Sequence, residues 1–362
     1  MDSIERILCA VYLEEPDVVP VFDLGIDTVV VKKILGREPK SVYDHCECHV
    51  KLGMDAFFLW DPGVSASFEI SPENAALYQG KIKVLGPKSW IDGWGRKWIY
   101  RDDTNTCWYA GGTIEQPEQL DEIEPPSPDS DALKDFFRKA VKASRKAGLA
   151  FGAGIHDAFE IPSEMRGIDN FLIDCYRNPR FVKRMIEMAM EYNIGVTKLV
   201  IDEGADIVAS GDDYAWKTGP LMSPKHFEKF IFPHLKELVN IAHKRGVPFL
   251  KHTDGNIWLL MDYLIKAGVD ILNPFEPQAG MDIGEAKEKI GDKICLAGNV
   301  DCVHVLSRGT KEEVYREVKE CIKKAAYGGG YILTSSNTLH SGVNPQNAVA
   351  MVKAAKKYGR YR

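Results

Sequence analysis

The sequence predicts an α/β protein, built as a (β/α)8 TIM barrel with an N-terminal helix. Two observations predict this fold class. Short apolar runs recur along the 362 residues, and each is nearly continuous, as is typical of parallel strands buried on both faces. Stretches with apolar residues every three or four positions, typical of helices, separate these runs. The eight predicted strands are Val18–Phe22, Ala56–Trp60, Leu149–Ile155, Asp206–Ser210, Val247–Lys251, Asp270–Asn273, Lys293–Ala297 and Gly330–Thr334.

The predicted helices lie between these strands, and several begin at a recognisable turn. An amphipathic helix over Ile4–Leu13 precedes the first strand. Serine or asparagine followed by proline signals a helix start, and this pair occurs at Ser223-Pro224, Asn344-Pro345 and Asn178-Pro179. The main predicted helices are Val42–Leu52, Pro179–Glu203, Pro224–Lys244, Lys311–Ala326 and Pro345–Tyr358.

One segment, at about residues 63–128, interrupts this alternation and is rich in turns and aromatic residues. Ser89–Ile91 and Arg96–Tyr100, which flank the turn residues 92–95, predict a β-hairpin. We expect an insertion after the second strand that lies over the top of the barrel, so that residues 1–362 form a single domain. The alternative is a small separate domain.

Composition excludes several classes of function. The chain has 46 Lys and Arg against 52 Asp and Glu, a net charge of −6, which does not favour nucleic-acid binding. Apolar runs fall short of the ~20 residues that span a bilayer. The start, Met1–Arg6, lacks the apolar region of a signal peptide, so we expect a cytoplasmic protein whose eight cysteines are free thiols.

Candidate site residues follow the strands, because active sites of such barrels lie at the carboxyl ends of the strands. Ionisable or polar side chains follow every predicted strand, and three of them are histidines. These residues are Asp23, Asp61, His156, Asp157, Asp212, Asp213, Tyr214, His252, Asp254, Asn273, Glu276, Asn299, Asp301, Asn337 and His340.

The segment His252-Thr253-Asp254 is the most specific of these features. Residues i and i+2 at a strand end can both face the barrel axis. A neutral imidazole and a carboxylate together suit Zn²⁺ or a similar divalent ion, with a third ligand from a neighbouring strand. Candidates for that ligand are Glu276, Asp212, His340 and Cys295. The alternative is that His252 only forms a hydrogen bond and Asp254 caps the next helix.

A second cluster of potential ligands, residues 45–49, lies in a predicted helix. Cys46 and Cys48 point about 200° apart around that helix and cannot share an ion. His45 and His49 are an i,i+4 pair that could chelate an ion, but no third ligand is apparent. We interpret the cluster as a buried helix face.

Nine short segments spread along the chain occur in a characteristic order. They are Glu5–Leu8, Glu15–Val21, Glu164–Gly167, Phe171–Pro179, Gly211–Asp213, Gly219–Pro224, Ala267–Asp270, Gly298–Asp301 and Ser341–Asn347. Together they resemble the uroporphyrinogen decarboxylase superfamily over essentially the whole length. The resemblance implies a (β/α)8 barrel, in agreement with the strand count.

The superfamily holds two main chemistries. The decarboxylases carry arginines after the first strand that pair with the carboxylates of a tetrapyrrole. The matching stretch here, residues 22–29, has no arginine and two aspartates, which argues against that substrate. The other branch resembles cobamide-dependent methyltransferases, whose thiol-dependent members carry Zn²⁺ on a His-x-Cys pair. Here the cysteine is replaced by Asp254, which favours an oxygen donor over a thiol.

The resemblance therefore implies the substrate-side methyltransferase of an O-demethylase system, with an aromatic methoxylated substrate favoured by the tryptophans of the insertion. The alternative is that these tryptophans only pack the insertion's own small core. Co(I) of a corrinoid carried by a separate protein would attack the methyl carbon, while a Lewis acid or general acid stabilises the departing phenolate. A homodimer is possible. Alternatives are a methyltransferase for another small donor or a thiol acceptor, uroporphyrinogen decarboxylase, and a non-catalytic corrinoid-binding accessory protein.

Roles for the site residues follow from the same resemblance. The predicted metal ligands, for Zn²⁺ or another divalent ion, are His252, Asp254 and Glu276. The predicted catalytic residues are His252, Asp213 and His340. The predicted substrate-binding residues are Asp61, His156, Tyr214 and Asn337.

Overall fold

A computed structural model describes residues 1–63, 72–104 and 106–361. Seven parallel strands form one curled sheet in the order β1-β6-β7-β10-β11-β12-β13, as expected for a TIM-barrel-like α/β fold. Four further strands, β2 to β5, form an antiparallel sheet, and β8 and β9 form a small hairpin. The strands are β1 (Ala56–Trp60), β2 (Lys83–Gly86), β3 (Ser89–Ile91), β4 (Arg96–Arg101), β5 (Thr106–Gly112), β6 (Ala150–Ile155), β7 (Ile207–Ser210), β8 (Ala215–Trp216), β9 (Gly219–Pro220), β10 (Phe249–His252), β11 (Ile271–Asn273), β12 (Cys295–Val300) and β13 (Tyr331–Ser335).

The predicted first strand closes the sheet, but as an irregular segment. The amide of Leu333 in β13 donates to the carbonyl of Pro20 (2.9 Å), and the amide of Asp55 donates to the carbonyl of Val21 (2.7 Å). The Val21 amide is taken by the Asp55 carboxylate (2.9 Å) rather than by a backbone carbonyl. Because Pro20 has no amide proton and the Val21 amide is bonded to the Asp55 side chain, the segment meets β13 through an isolated bridge from Val21 to Leu333 and not through a regular strand.

The helices agree with the predicted pattern except at one place. Ser223 and Asn344 cap their helices through their side chains, whereas the Asn178 side chain makes no cap bond. The single helix predicted over Pro224–Lys244 is wrong, because Pro233 lacks an amide proton and the chain forms two helices there. The helices are α1 (Ser3–Val11), α2 (Thr28–Leu35), α3 (Val42–Leu52), α4 (Pro72–Tyr78), α5 (Asp131–Ala147), α6 (Glu160–Arg166), α7 (Ile168–Arg177), α8 (Pro179–Asp202), α9 (Pro224–Phe230), α10 (Phe232–His243), α11 (Met261–Ala267), α12 (Ile283–Ile290), α13 (Val305–Arg308), α14 (Lys311–Ala325) and α15 (Pro345–Tyr358), with 3₁₀ turns at Pro117–Glu122, Trp258–Leu260 and Pro277–Ala279.

The insertion contains the predicted hairpin, β3 and β4, and adds a strand on each side of it. Its turn is held by Asp92, whose carboxylate accepts bonds from Nε of Arg96 (2.8 Å) and Nε1 of Trp98 (2.8 Å). Trp90 and Trp98 pack together in a small cluster of their own, and Trp94 joins the main core beside Tyr192. Trp90, Trp94 and Trp98 are thus buried in protein packing, whereas Trp108 in β5 is exposed. A role of the insertion in binding an aromatic substrate stays a prediction. Residues 64–71 and 105 of the insertion lie outside the described part.

The N-terminal helix closes the end of the barrel where the strands begin. Ile7 and Ala10 of α1 belong to the same buried cluster as the inward-facing Phe22 and Phe58. Arg6 reaches Asp55, just before β1, with an N–O distance of 2.6 Å. The opposite end, where the strands finish, is therefore the end that can hold a site. No helix in the described ranges is long and apolar enough to cross a membrane.

Candidate metal and substrate site

Trp60, the last residue of β1, forms the wall of a cavity at the carboxyl end of the barrel. Two glycines make room for its ring: a Cβ atom on Gly154 would lie 2.3 Å from the indole, and one on Gly211 would lie 2.4 Å from it. The ring centroids of His156 and His252 lie 6.2 Å and 6.5 Å from that of Trp60. The indole thus lies close to both histidines.

His252 is oriented by a chain of hydrogen bonds. Its Nδ1 lies 2.7 Å from Oδ1 of Asn273. The Asn273 amide nitrogen donates to the carbonyl of Ala297 (3.1 Å) and to Oγ1 of Thr334 (3.0 Å), so its oxygen is the acceptor. His252 therefore carries its proton on Nδ1 and presents the lone pair of Nε2. Burial lowers the pKa of His252 to about 4, which keeps the ring neutral.

Two carboxylates face this lone pair. Nε2 of His252 lies 3.7 Å from Oδ1 of Asp254 and 3.8 Å from Oδ1 of Asp213. Ligand atoms from all three residues lie within 4.8 Å of one another. Oδ1 of Asp254 is buried and makes no hydrogen bond in the described structure. A neutral imidazole nitrogen with two carboxylate oxygens is a donor set for a divalent ion such as Zn²⁺.

The charge around this cluster also favours a cation. Burial, with Glu160 nearby, raises the pKa of Asp213 to about 7. Burial, together with Asp213 and Glu276, raises the pKa of Asp254 well above its usual range. Carboxylates crowded together where the strands end repel one another unless a proton or a metal ion intervenes. The residues present therefore fit a divalent ion.

A second acidic cluster beside His156 has a different character. Nδ1 of His156 lies 2.8 Å from Oδ1 of Asp212 and 2.9 Å from Oε2 of Glu160. Burial opposes protonation of His156, but Glu160 and Asp212 outweigh it and raise the pKa well above its usual value. Asp212 also accepts the amides of Phe159 and Glu160 at the start of α6. The imidazolium balances one of the two carboxylates, so this cluster differs from that of His252, whose imidazole is neutral.

A buried network lies beneath both clusters. Nζ of Lys251 donates to Oδ2 of Asp157 (3.0 Å), to Oγ of Ser210 (3.1 Å) and to the carbonyl of Asp212 (2.8 Å). The hydroxyl of Tyr214 donates to the same oxygen of Asp157 (2.5 Å). The hydroxyl of Tyr214 is thus bonded within the protein, and the role of Tyr214 in substrate binding stays a prediction.

Three further predicted site residues, Asn337, Glu276 and Asp61, each form hydrogen bonds within the protein. Asn337 donates through Nδ2 to Oδ2 of Asp254. Oε2 of Glu276 accepts the amide of Gly255 (3.1 Å), and Glu276 is not in the three-residue cluster. Asp61 accepts bonds from the amide of Gly63 and the hydroxyl of Tyr192, and burial raises its pKa to about 6.

His340 lies on the loop after β13 with both ring nitrogens engaged. Nε2 donates to the carbonyl of Cys302 (3.2 Å), and Nδ1 accepts the amide of Gly342 (3.1 Å). Its catalytic role stays a prediction, as do the roles of the other residues. Sequence reasoning named Asn273 as a strand-end candidate but missed Trp60, Glu160 and Lys251 as parts of the site. Trp60 ends β1, a position that could have identified it.

These observations define a TIM-barrel-like protein with a candidate metal site where its strands end. The family model described as uroporphyrinogen decarboxylase (URO-D) matches residues 103–358. The chain belongs to this family.

The individual relatives include both chemistries of the superfamily. The methylcobamide:CoM methyltransferase MtbA of Methanosarcina mazei is 25% identical over 248 residues, 68% of this chain and 70% of the relative. A uroporphyrinogen decarboxylase of Parasynechococcus marenigrum is 25% identical over 183 residues, but the chain spans only 49% of that relative. A solved structure described as "methyltransferase from Methanosarcina mazei" gives a TM-score of 0.74 at 19% identity over 99% of both chains, which supports the fold. The resemblance to the family and its cobamide methyltransferase branch is confirmed.

Proposed function

We propose that the chain is a corrinoid-dependent methyltransferase that takes its methyl group from a methoxylated aromatic compound. The observation that carries the proposal is the cluster of His252, Asp213 and Asp254 beside the aromatic wall of Trp60. Oxygen and imidazole donors suit a metal ion that binds an oxygen atom. An indole wall suits a flat apolar ring.

Each of these residues would have a distinct task. Trp60 would hold the aromatic ring, while His252, Asp213 and Asp254 would hold a divalent ion. A bound ion would act as a Lewis acid at the ether oxygen, and the corrinoid of a separate protein would accept the methyl group. His156 holds a proton on Nε2, the ring nitrogen not used by Asp212 and Glu160. That proton could neutralise the departing phenolate oxygen.

The test uses the purified chain with a Co(I) corrinoid and a panel of methoxybenzoates and methoxyphenols. We expect the visible spectrum of a methylated corrinoid with at least one compound. Metal analysis should find about one divalent ion per chain, and His252→Ala should lose both the ion and the activity. No methylation with any compound would overturn the aromatic donor.

A second candidate is methyl transfer to a thiol. The names of the Methanosarcina relatives, methylcobamide:CoM methyltransferase and methylated-thiol–coenzyme M methyltransferase, favour it. The donor set opposes it, because no cysteine joins the His252 cluster among the described residues. The test adds coenzyme M to methylated corrinoid in the presence of the purified chain. Loss of the methyl-corrinoid spectrum would favour a thiol as the methyl acceptor.

Uroporphyrinogen decarboxylation and a non-catalytic accessory role remain weaker alternatives. Segment 22–29 offers no arginine to a polycarboxylate, and Arg96 is already paired with Asp92 and Glu164. We also propose a cytoplasmic location, where buried cysteines such as Cys46, Cys295 and Cys321, which form no disulfide here, would stay reduced.

A further inference from the structure

Two aromatic rings of β1 lie inside the barrel over glycines of β6. Phe58 is opposite Gly152 in the register of the two strands, and two residues further on Trp60 is opposite Gly154. A Cβ atom on either glycine would overlap the ring that lies opposite it. The two glycines therefore provide the space that the two rings occupy.

The indole of Trp60 extends along the barrel wall on both sides of β1. On one side its Nε1 donates to the carbonyl of Leu24 (2.8 Å), which follows the irregular segment that closes the sheet. On the other side its six-membered ring reaches Gly211, just after β7, where a Cβ atom would also overlap it. The ring therefore spans from the irregular segment past β1 and β6 to β7. A hydrogen bond at one edge and close packing at the other fix its orientation.

Trp60 covers part of the apolar core from the end of the barrel where the strands finish. It packs against the buried cluster that contains Phe22 and Phe58. His156 and His252, which line the same cavity as Trp60, lie at or just after the ends of their strands. A ligand that enters from this end therefore meets the indole before it can reach the core beneath.

The volume of the cavity limits what it can hold while the indole is in place. That volume is about 280 Å³. An apolar cavity of about 150 Å³ is enough for benzene, whereas sites for drug-sized ligands have volumes of about 300–1,000 Å³. The cavity therefore suits one aromatic ring with small substituents and has no room for a macrocycle of four pyrrole rings.

We propose that Trp60 is a specificity-determining residue, which limits ligands of the barrel to about the size of one substituted ring and keeps out ligands of three or more rings. The size limit stands on the packing of Trp60 over Gly154 and Gly211 and not on the identity of the methyl donor. It also gives a reason against a tetrapyrrole substrate that is independent of the missing arginine in segment 22–29.

The test titrates the purified chain with N-phenyl-1-naphthylamine, a neutral compound of three aromatic rings whose fluorescence rises in apolar surroundings. We expect Trp60→Ala to bind this probe about tenfold more tightly than the unmodified chain, because loss of the indole opens the space above Phe58. Trp60→Leu, which removes less volume, should show a smaller gain.

Two further measurements locate the bound probe. Free indole should displace it from Trp60→Ala, because indole can again fill the space over Gly154 and Gly211. The control variant is Tyr12→Ala, which removes an exposed aromatic ring just after α1, at the opposite end of the barrel. Its affinity for the probe should equal that of the unmodified chain.

The outcomes separate this inference from the proposed function. Equally tight binding of the probe to the unmodified chain, no gain in a variant that circular dichroism shows to be folded, or a gain that indole does not reverse would overturn the inference. If Trp60→Ala does not fold, Trp60→Leu decides by the same criteria. No corrinoid or methyl donor takes part, so failure of the methoxylated compounds to methylate a corrinoid would leave the size limit standing. Methyl transfer without a size limit would keep the proposed function and remove this inference.

Discussion

Nδ1 of His252 lies 2.7 Å from Oδ1 of Asn273, and both residues are the last of their neighbouring strands, β10 and β11. The strands are in register there, with His252 opposite Asn273. The asparagine is itself held by the Ala297 carbonyl and by Thr334. The parallel sheet thus sets the orientation and the tautomer of the imidazole. A ligand oriented in this way binds a metal ion without first losing rotational freedom.

Replacing Asn273 should weaken metal binding without removing a ligand. In Asn273→Ala the His252 ring loses the acceptor that holds its proton on Nδ1. We expect the affinity for Zn²⁺ to fall by about 10- to 100-fold, measured by competition with a chromophoric chelator. The control is Asn240→Ala at an exposed position of α10. An unchanged affinity in a folded Asn273→Ala variant would contradict this role.

The identity of the third ligand can be decided by a matched pair of variants. The sequence predicts Glu276, whereas the structure places Asp213 3.8 Å from Nε2 of His252 and engages Glu276 with the Gly255 amide. In Asp213→Asn we expect less Zn²⁺ bound per chain and an affinity for Zn²⁺ that is at least tenfold lower. In Glu276→Gln we expect both quantities to stay near the values of the unmodified chain. Metal analysis after gel filtration measures them, and the reverse result would restore Glu276 to the ligand set.

The fold was predictable from the sequence because burial on both faces leaves a clear pattern in each strand. The pattern fails for Val18–Phe22, where the residues are apolar but Pro20 and the Asp55 carboxylate remove the backbone bonds of a regular strand. Apolar periodicity reports burial, and it cannot report which atom accepts a given amide proton. Pro233 divides the predicted helix over Pro224–Lys244 for a related reason.

The site was predictable in part because strand ends of a barrel converge. His252 and Asp254 were found by this rule, and so was Asp213 as a catalytic candidate. The approach of Asp213 to His252 depends on the loop after β7. In that loop the Asp213 carboxylate accepts the amide of Asp254 (2.7 Å), and a contact of this kind leaves no periodic pattern in the sequence. The sequence does not reveal which way an aromatic residue faces, so it could not show that Trp90, Trp94 and Trp98 are buried while Trp108 is exposed.

The buried carboxyl of Asp23 should make stability depend on pH. Burial raises its pKa from 3.8 to about 7, and one of its oxygens makes no hydrogen bond in the described structure. The folded state therefore keeps this proton when the unfolded state has lost it. The residue contributes stability below about pH 4 that is lost as the pH rises through about 7, an effect of about 4 kcal/mol.

Asp23→Asn isolates this effect, because the amide does not titrate and its oxygen can still accept the Ser335 amide. We expect the fall in unfolding free energy between pH 4 and pH 8, measured with urea, to be smaller in this variant. Asp282→Asn is the contrasting control. The bond from Lys324 lowers the Asp282 pKa despite burial, so Asp282 contributes stability that is lost as the pH falls. The same pH profile in Asp23→Asn and the unmodified chain would show that Asp23 does not titrate as described.

The buried pair of Lys251 and Asp157 should be far costlier to break than an exposed ion pair. Both side chains are fully buried, with 3.0 Å between Nζ and Oδ2. In Lys251→Met the Asp157 carboxylate loses its only salt-bridge cation among the described residues, and we expect a loss of about 3–5 kcal/mol in unfolding free energy. The double variant Lys251→Met with Asp157→Asn should lose less unfolding free energy than Lys251→Met alone, because no buried charge is then left unpaired.

The control is Lys81→Met, which breaks an exposed pair with Glu124 and should cost at most about 1 kcal/mol. Urea unfolding of the four proteins measures these differences, and equal losses in Lys251→Met and Lys81→Met would show that burial does not set the cost.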